Sequence, residues 1–182
     1  ADKLRCINLR DKDFDSKYIT PAPQSWANVT FPEKLEIGGN TYKLSQYPNV
    51  GEAKLLILDQ STRGINEQKR NKGGTYSIKD VPRATLWTDE KQIICNGKFS
   101  SSYEVQSTLV SGIDSDKMYM SFLKAGALVN EPYPKAVFKN ILRETDMPGE
   151  YYIDRDNDIL YYYPYNDSDD DIYICAESYK GI

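Results

Sequence analysis

The longest aliphatic run in the chain is Leu55 to Leu58, and its apolar stretches keep giving way to Gly, Pro, Asn, Asp or Ser. Punctuation at this spacing favours short strands joined by turns over long buried elements. It also falls far short of the roughly 20 apolar residues that a membrane span needs. The fold class that follows is mainly β, a β-sandwich or barrel-like domain of short antiparallel strands with one short helix. A length of 182 residues suits a single β domain over residues 1–182.

Leu4 to Leu9 alternates apolar and polar side chains, as a half-buried strand does. Asp11 to Asn28 has charges, prolines and no periodicity, and reads as a long loop. Leu35-Glu36-Ile37 and Thr41-Tyr42-Lys43-Leu44 flank Gly38-Gly39-Asn40, the best hairpin in the chain, because Gly-Gly supplies the positive φ of a tight turn. Lys54 begins another strand. Asn66 to Gly74 reads as a polar, solvated loop.

Tyr76 to Ile78, Pro82 to Trp87 and Gln92 to Cys95 are short pieces separated by turn residues. Tyr103 to Ile113 and Met118 to Phe122 read as strands joined by Asp114 to Lys117. Val137, Phe138, Ile141 and Leu142 have a spacing that suits a short helix after a strand. Glu150 to Ile153 and Ile159 to Tyr163 flank Asp154 to Asp158 as a second hairpin, and Ile172 to Cys175 gives a last strand after the acidic run Asp167 to Asp171.

The chain contains no histidine. That removes every Ser/His and Cys/His nucleophile pair, every His metal site and every His general base. Cys6, Cys95 and Cys175 are far apart and form no CxxC pair, so neither a disulfide framework nor zinc spacing is present, and buried small hydrophobes is the simplest reading. With 23 basic and 27 acidic residues and no basic block, nucleic acid and anionic membrane are not expected as partners. No cofactor is called for. The chain opens at Ala1 without a Met or a leader-like stretch, so it reads as a processed product or an excised piece.

Several clusters invite chemical readings. Asp154, Asp156 and Asp158 open like a calcium loop, but Ile159 stands where Gly is needed and Tyr165 where Glu is needed, so a solvated hairpin tip fits better. The Asp167 to Asp171 run offers hard oxygen ligands, yet an ion-free acidic loop is the plainer account. Glu144, Asp146, Glu150 and Asp154 are acids of the kind a glycosidase pairs, although acids beside turns are common. Tyr161-Tyr162-Tyr163 alternates faces along a strand and cannot form one three-ring platform. Fifteen tyrosines suit a sheet-rich protein with wet faces. Trp26, Tyr47, Trp87 and Tyr103 are the candidates for stacking on sugar rings, although core or interface packing is the plainer account.

Phe138 to Pro164 reads FKNILRETDMPGEYYIDRDNDILYYYP. It resembles a segment of pectin-lyase-like right-handed parallel β-helix proteins, many of them glycoside hydrolases, that runs close to NxxExxxPGEWYxD followed by LYYxP. The matching residues are Asn140, Glu144, Pro148, Gly149, Glu150, Tyr152, Asp154, Leu160, Tyr161, Tyr162 and Pro164, with Tyr151 where that pattern has Trp. Upstream, Leu44 to Asn49 resembles that family's LARWPN segment without its Arg and Trp. Gly97-Lys98-Phe99 with Tyr103 resembles a GYF segment followed by Trp.

The resemblance implies a β-sandwich-like domain inserted into a β-helix, with residues 172–182 as the strand leading back to the helix. It implies the β-helix portion of the parent chain as partner, a polysaccharide as the larger ligand, and a secreted, periplasmic or cell-surface location. The catalytic carboxylates of such enzymes belong to the helix, so no catalytic residue carries over. The implied role is an accessory domain that shapes or covers a substrate groove; a stand-alone carbohydrate-binding or adhesion module is the alternative.

Overall fold

A computed structural model describes residues 3–12, 35–58, 73–99, 105–121 and 133–166. Among them are thirteen strands and three short 3₁₀ turns, arranged in two sheets. The chain is mainly β, as its turn rhythm indicates, and no helix among the described residues is long and apolar enough to cross a membrane. The described residues divide into two compact units: residues 3–12, 35–45 and 140–166, and residues 46–58, 73–99, 105–121 and 133–139. Trp26, Tyr103, the acidic run at 167–171 and the last strand expected at 172–175 lie outside the described residues.

The first unit is a five-stranded sheet built from β1 (Arg5–Asn8), β2 (Leu35–Ile37), β3 (Asn40–Leu44), β12 (Glu150–Asp154) and β13 (Ile159–Tyr162), in the order β1-β13-β12-β3-β2. The β2–β3 hairpin pairs Ile37 with Asn40 across Gly38 and Gly39, whose φ of 57° and 76° are those of a type I′ turn. Alternation places Ile7, Leu35, Ile37, Tyr42, Leu44, Tyr151, Ile153, Leu160 and Tyr162 in one buried cluster. The tyrosine triplet splits as expected: Tyr162 meets Tyr42 edge-on at 5.8 Å, and Tyr161 packs on Tyr152 at 6.1 Å. The β12–β3 pair is parallel, Glu150 opposite Lys43 and Tyr151 opposite Leu44, whereas every other strand pair is antiparallel among the described residues.

The second unit is an eight-stranded sheet of β4 (Gln46–Tyr47), β5 (Ala53–Lys54), β6 (Leu56–Ile57), β7 (Gly73–Ser77), β8 (Ile94–Gly97), β9 (Gln106–Ile113), β10 (Lys117–Ser121) and β11 (Lys135–Lys139). Its path runs β4-β11-β8-β9-β10-β7-β6, with β5 also against β11. Two local expectations are corrected here. Val137 and Phe138 belong to strand β11, not a helix; Asn140 then takes a φ of 62°, which ends the strand, and only Leu142–Glu144 forms a 3₁₀ turn. Gly73 and Gly74, expected in a loop, open β7 opposite Ser121 and Met120. A Cβ on Gly74 would lie 2.8 Å from the Tyr76 ring, so the glycine makes room for that side chain.

Tyr76 is fully buried, with its ring 5.9 Å from that of Phe99. Its hydroxyl has no hydrogen-bond partner. Burial, with the Cys95 thiol close by, pushes its acidity far below that of a free tyrosine. A buried hydroxyl that loses water and gains no partner destabilises the fold, while the ring itself contributes burial. Tyr76→Phe is therefore expected to raise stability by about 1 kcal/mol. Urea unfolding at constant slope checks it, and a fall in the midpoint would mean that the hydroxyl is engaged.

Candidate functional site

The motif shared with the resembled family forms a turn leading into strand β12. Gly149 has a φ of 82°, and a Cβ there would run into the Tyr165 phenol, so both backbone and space require glycine. Its N–H donates to Tyr163 O at 2.9 Å, and its carbonyl accepts from Lys43 N at 2.9 Å. Glu150 N donates to Met147 O, and Glu150 O accepts from Tyr163 N. The Glu150 carboxylate bends back over the turn, and its Oε2 accepts the backbone N–H groups of Asp146 and Met147, both at 3.2 Å.

Glu150 is a carboxylate with no exposed surface. Its Oε1 forms an ion pair with the half-exposed Lys43 Nζ at 3.4 Å. Desolvation raises its pKa above the usual carboxylate range, and the two backbone N–H groups and Lys43 only partly offset this. Glu144 is buried as well. Asp154 accepts the backbone N–H of Asp156 and Asn157 and the Asn157 amide at 2.8 Å, and so closes its own hairpin. Asp158 pairs with Arg10 Nε at 2.7 Å. Asp154 and Asp158 thus serve separate contacts, one closing the turn and one an ion pair to Arg10, and no group of three metal-ligating side chains is found among the described residues.

The aromatic candidates part company. Trp87 has no exposed surface and lies between Tyr47 and Phe138, both 5.3 Å away ring to ring. This corrects the expectation of a sugar-stacking face for Trp87: its surface is already spent on aromatic packing. Tyr47 is half-buried on that same cluster. Trp26 and Tyr103 lie outside the described residues.

The second unit also carries a cavity of about 260 Å³ that no motif announces. The 87–93 segment forms one wall, with Thr88, Glu90 and Gln92, and Ser111 and Gly112 of β9 form the other. Apart from Trp87, its lining residues are polar, charged and aliphatic types that stand out in no sequence pattern.

Two outcomes follow from the turn. Gly149→Ala is expected to cost about 2 kcal/mol or more in urea unfolding, because a strained φ and a steric clash add. Glu150→Ala is expected to cost about 2–4 kcal/mol, since two turn N–H groups lose their acceptor. Glu150→Gln keeps an acceptor and removes the buried charge. A carboxyl whose pKa is raised on folding contributes stability below its unfolded value, about 4.3, and that contribution is lost as pH rises through the raised folded value. The Gln variant should therefore gain on the parent as pH increases across that window. Parallel unfolding curves from acid to neutral pH check this, and a gain at acid pH instead would refute the sign.

No family model matches the chain, and no curated protein matches it. Among solved structures it is similar to a glycoside hydrolase, with a TM-score of 0.51 and 15% identity over 74% of this chain and 24% of that one. The chain thus spans about a quarter of the length of the structure it matches, and at that identity the likeness is one of fold: this is a glycoside-hydrolase-like β fold.

Proposed function

We propose that this chain is a non-catalytic accessory domain of a larger carbohydrate-active protein of the right-handed β-helix type, shaping or covering its substrate groove. The observation that carries the reading is the match to about a quarter of a much longer glycoside hydrolase. The acids of the Phe138 to Pro164 segment support it from the other side. Glu150 is sealed inside a turn and Asp154 closes a hairpin. A retaining or inverting glycosidase needs two carboxyls that reach a sugar from opposite sides. Acids used up in backbone turns serve architecture instead.

In this role the partner is the β-helix portion of the same polypeptide, and a polysaccharide is the ligand of the whole. The working location is then secreted, periplasmic or on the cell surface. Fold alone does not fix chemistry, so hydrolysis is assigned to the parent protein rather than to this domain.

The test is the intact mass of the native polypeptide that carries this chain, isolated from its source cells. A mass several times 20.8 kDa, with flanking peptides of short repeated strands, is the expected result. A native mass near 20.8 kDa would overturn the accessory role and leave an independent sugar-binding module in its place.

A further inference from the structure

The 260 Å³ cavity of the second unit is walled by two backbone irregularities that lie far apart in sequence. On one wall Gln92 holds a φ of 63°, in the left-handed region that side-chain-bearing residues seldom occupy. On the other, the β9–β10 pairing passes from Gly112 opposite Tyr119 to Val110 opposite Met120, which leaves Ser111 as the extra residue of a bulge. Bulges re-aim side chains and gather beside binding sites, and unfavourable backbone angles persist where the surroundings hold them for a use. The space itself arises because β8 stops pairing at Ile94 opposite Leu109. Beyond that only Val110 N still reaches across, to Ile93 O at 2.9 Å, and β9 runs on without a β8 partner.

We propose that this cavity binds one uncharged sugar ring, an inference that rests on the carbohydrate-active reading above. Size sets the first limit: 260 Å³ lies below the roughly 300–1,000 Å³ of sites for drug-sized ligands, so it admits about one ring and not an oligosaccharide. Chemistry sets the second. Thr88 and Ser111 bring hydroxyls, Glu90 a carboxylate and Gln92 an amide to the lining, while Ile93 and Val110 add apolar surface, the mixture that a polyol with hydrophobic C–H faces requires. The Ser111 hydroxyl donates to Tyr119 O at 3.2 Å, which leaves its oxygen to accept from a sugar hydroxyl. Charge sets the third. Glu90 and Lys91 both line the cavity and cancel, so the site has no net attraction for an acidic sugar. Trp87 forms part of the floor but has no free face, so hydrogen bonding rather than ring stacking holds the ligand.

The ¹⁵N-labelled chain titrated with glucose, galactose and mannose, and separately with glucuronate and galacturonate, tests this. The expected result is a saturable shift of the amides of residues 88–93 and 110–113 with at least one neutral hexose, and weaker binding of the matching uronate. Gln92→Gly relieves the strained φ while deleting an amide, and Thr88→Ala trims an exposed side chain. Each should weaken binding about fivefold with the spectrum still dispersed. No saturable shift at these amides with any neutral hexose would overturn the site. So would tighter binding of a uronate. Shifts confined to other amides would likewise overturn the cavity, while the carbohydrate reading would stand. If no sugar binds but the native mass is several times that of this chain, the cavity falls and the accessory role is untouched.

Discussion

The carboxylate of Glu150 is the contact on which the first sheet depends. An ionised group without water is costly, and it is tolerated only where its acceptor capacity is used. Here Oε2 gathers the N–H groups of Asp146 and Met147, and fixes the turn that aims the chain into β12. From the same turn, Gly149 and Glu150 exchange backbone hydrogen bonds with Tyr163, while Gly149 O receives Lys43 N. Three strands, β3, β12 and β13, thus take their relative positions from the five-residue turn Asp146 to Glu150. Ser45 continues the join: its N–H reaches Tyr151 O at 2.7 Å, its carbonyl accepts Asn140 N and its hydroxyl accepts Ile141 N. A fully buried serine with its backbone and side chain all engaged is a polar node that specifies one arrangement.

This wiring explains the burial of β12. Glu150, Tyr151, Tyr152 and Ile153 are all buried, although a strand with one wet face should alternate. Tyr151 and Ile153 belong to the apolar cluster, while Tyr152 is covered by Tyr161 and Glu150 by its own turn. The parallel β3 neighbour is reached only because the turn delivers β12 beside it. The turn at Asp146 to Glu150 thus carries backbone bonds to Lys43 and Tyr163, residues distant from it in sequence. At 15% identity the likeness to a solved glycoside hydrolase speaks to architecture before chemistry.

Much of the fold was legible where local chemistry and tertiary context agree. The Gly38-Gly39 hairpin, the alternation of β1 and the turn between β9 and β10 follow from period and turn residues alone, and all three form. Errors arose where one spacing serves two structures. Val137, Phe138, Ile141 and Leu142 fit a helical face, but the left-handed Asn140 splits them into a strand and a turn. Gly73-Gly74 fits a loop, but its lack of a side chain is what β7 needs beside the Tyr76 ring. Trp87 fits a surface platform by residue type, and only the approach of Tyr47 and Phe138 shows that its faces are used.

The cavity was illegible for a stricter reason. Its shape comes from a slipped register at Ser111 and an inverted φ at Gln92, and neither residue type announces its conformation. Turn glycines declare themselves because few other residue types are comfortable at positive φ; a glutamine there is visible only in the folded chain. The two kinds of position also divide the labour of the molecule. Residues that match a pattern, such as Gly149 and Glu150, hold strands together. Residues that match none, such as Thr88, Gln92 and Ser111, line the cavity.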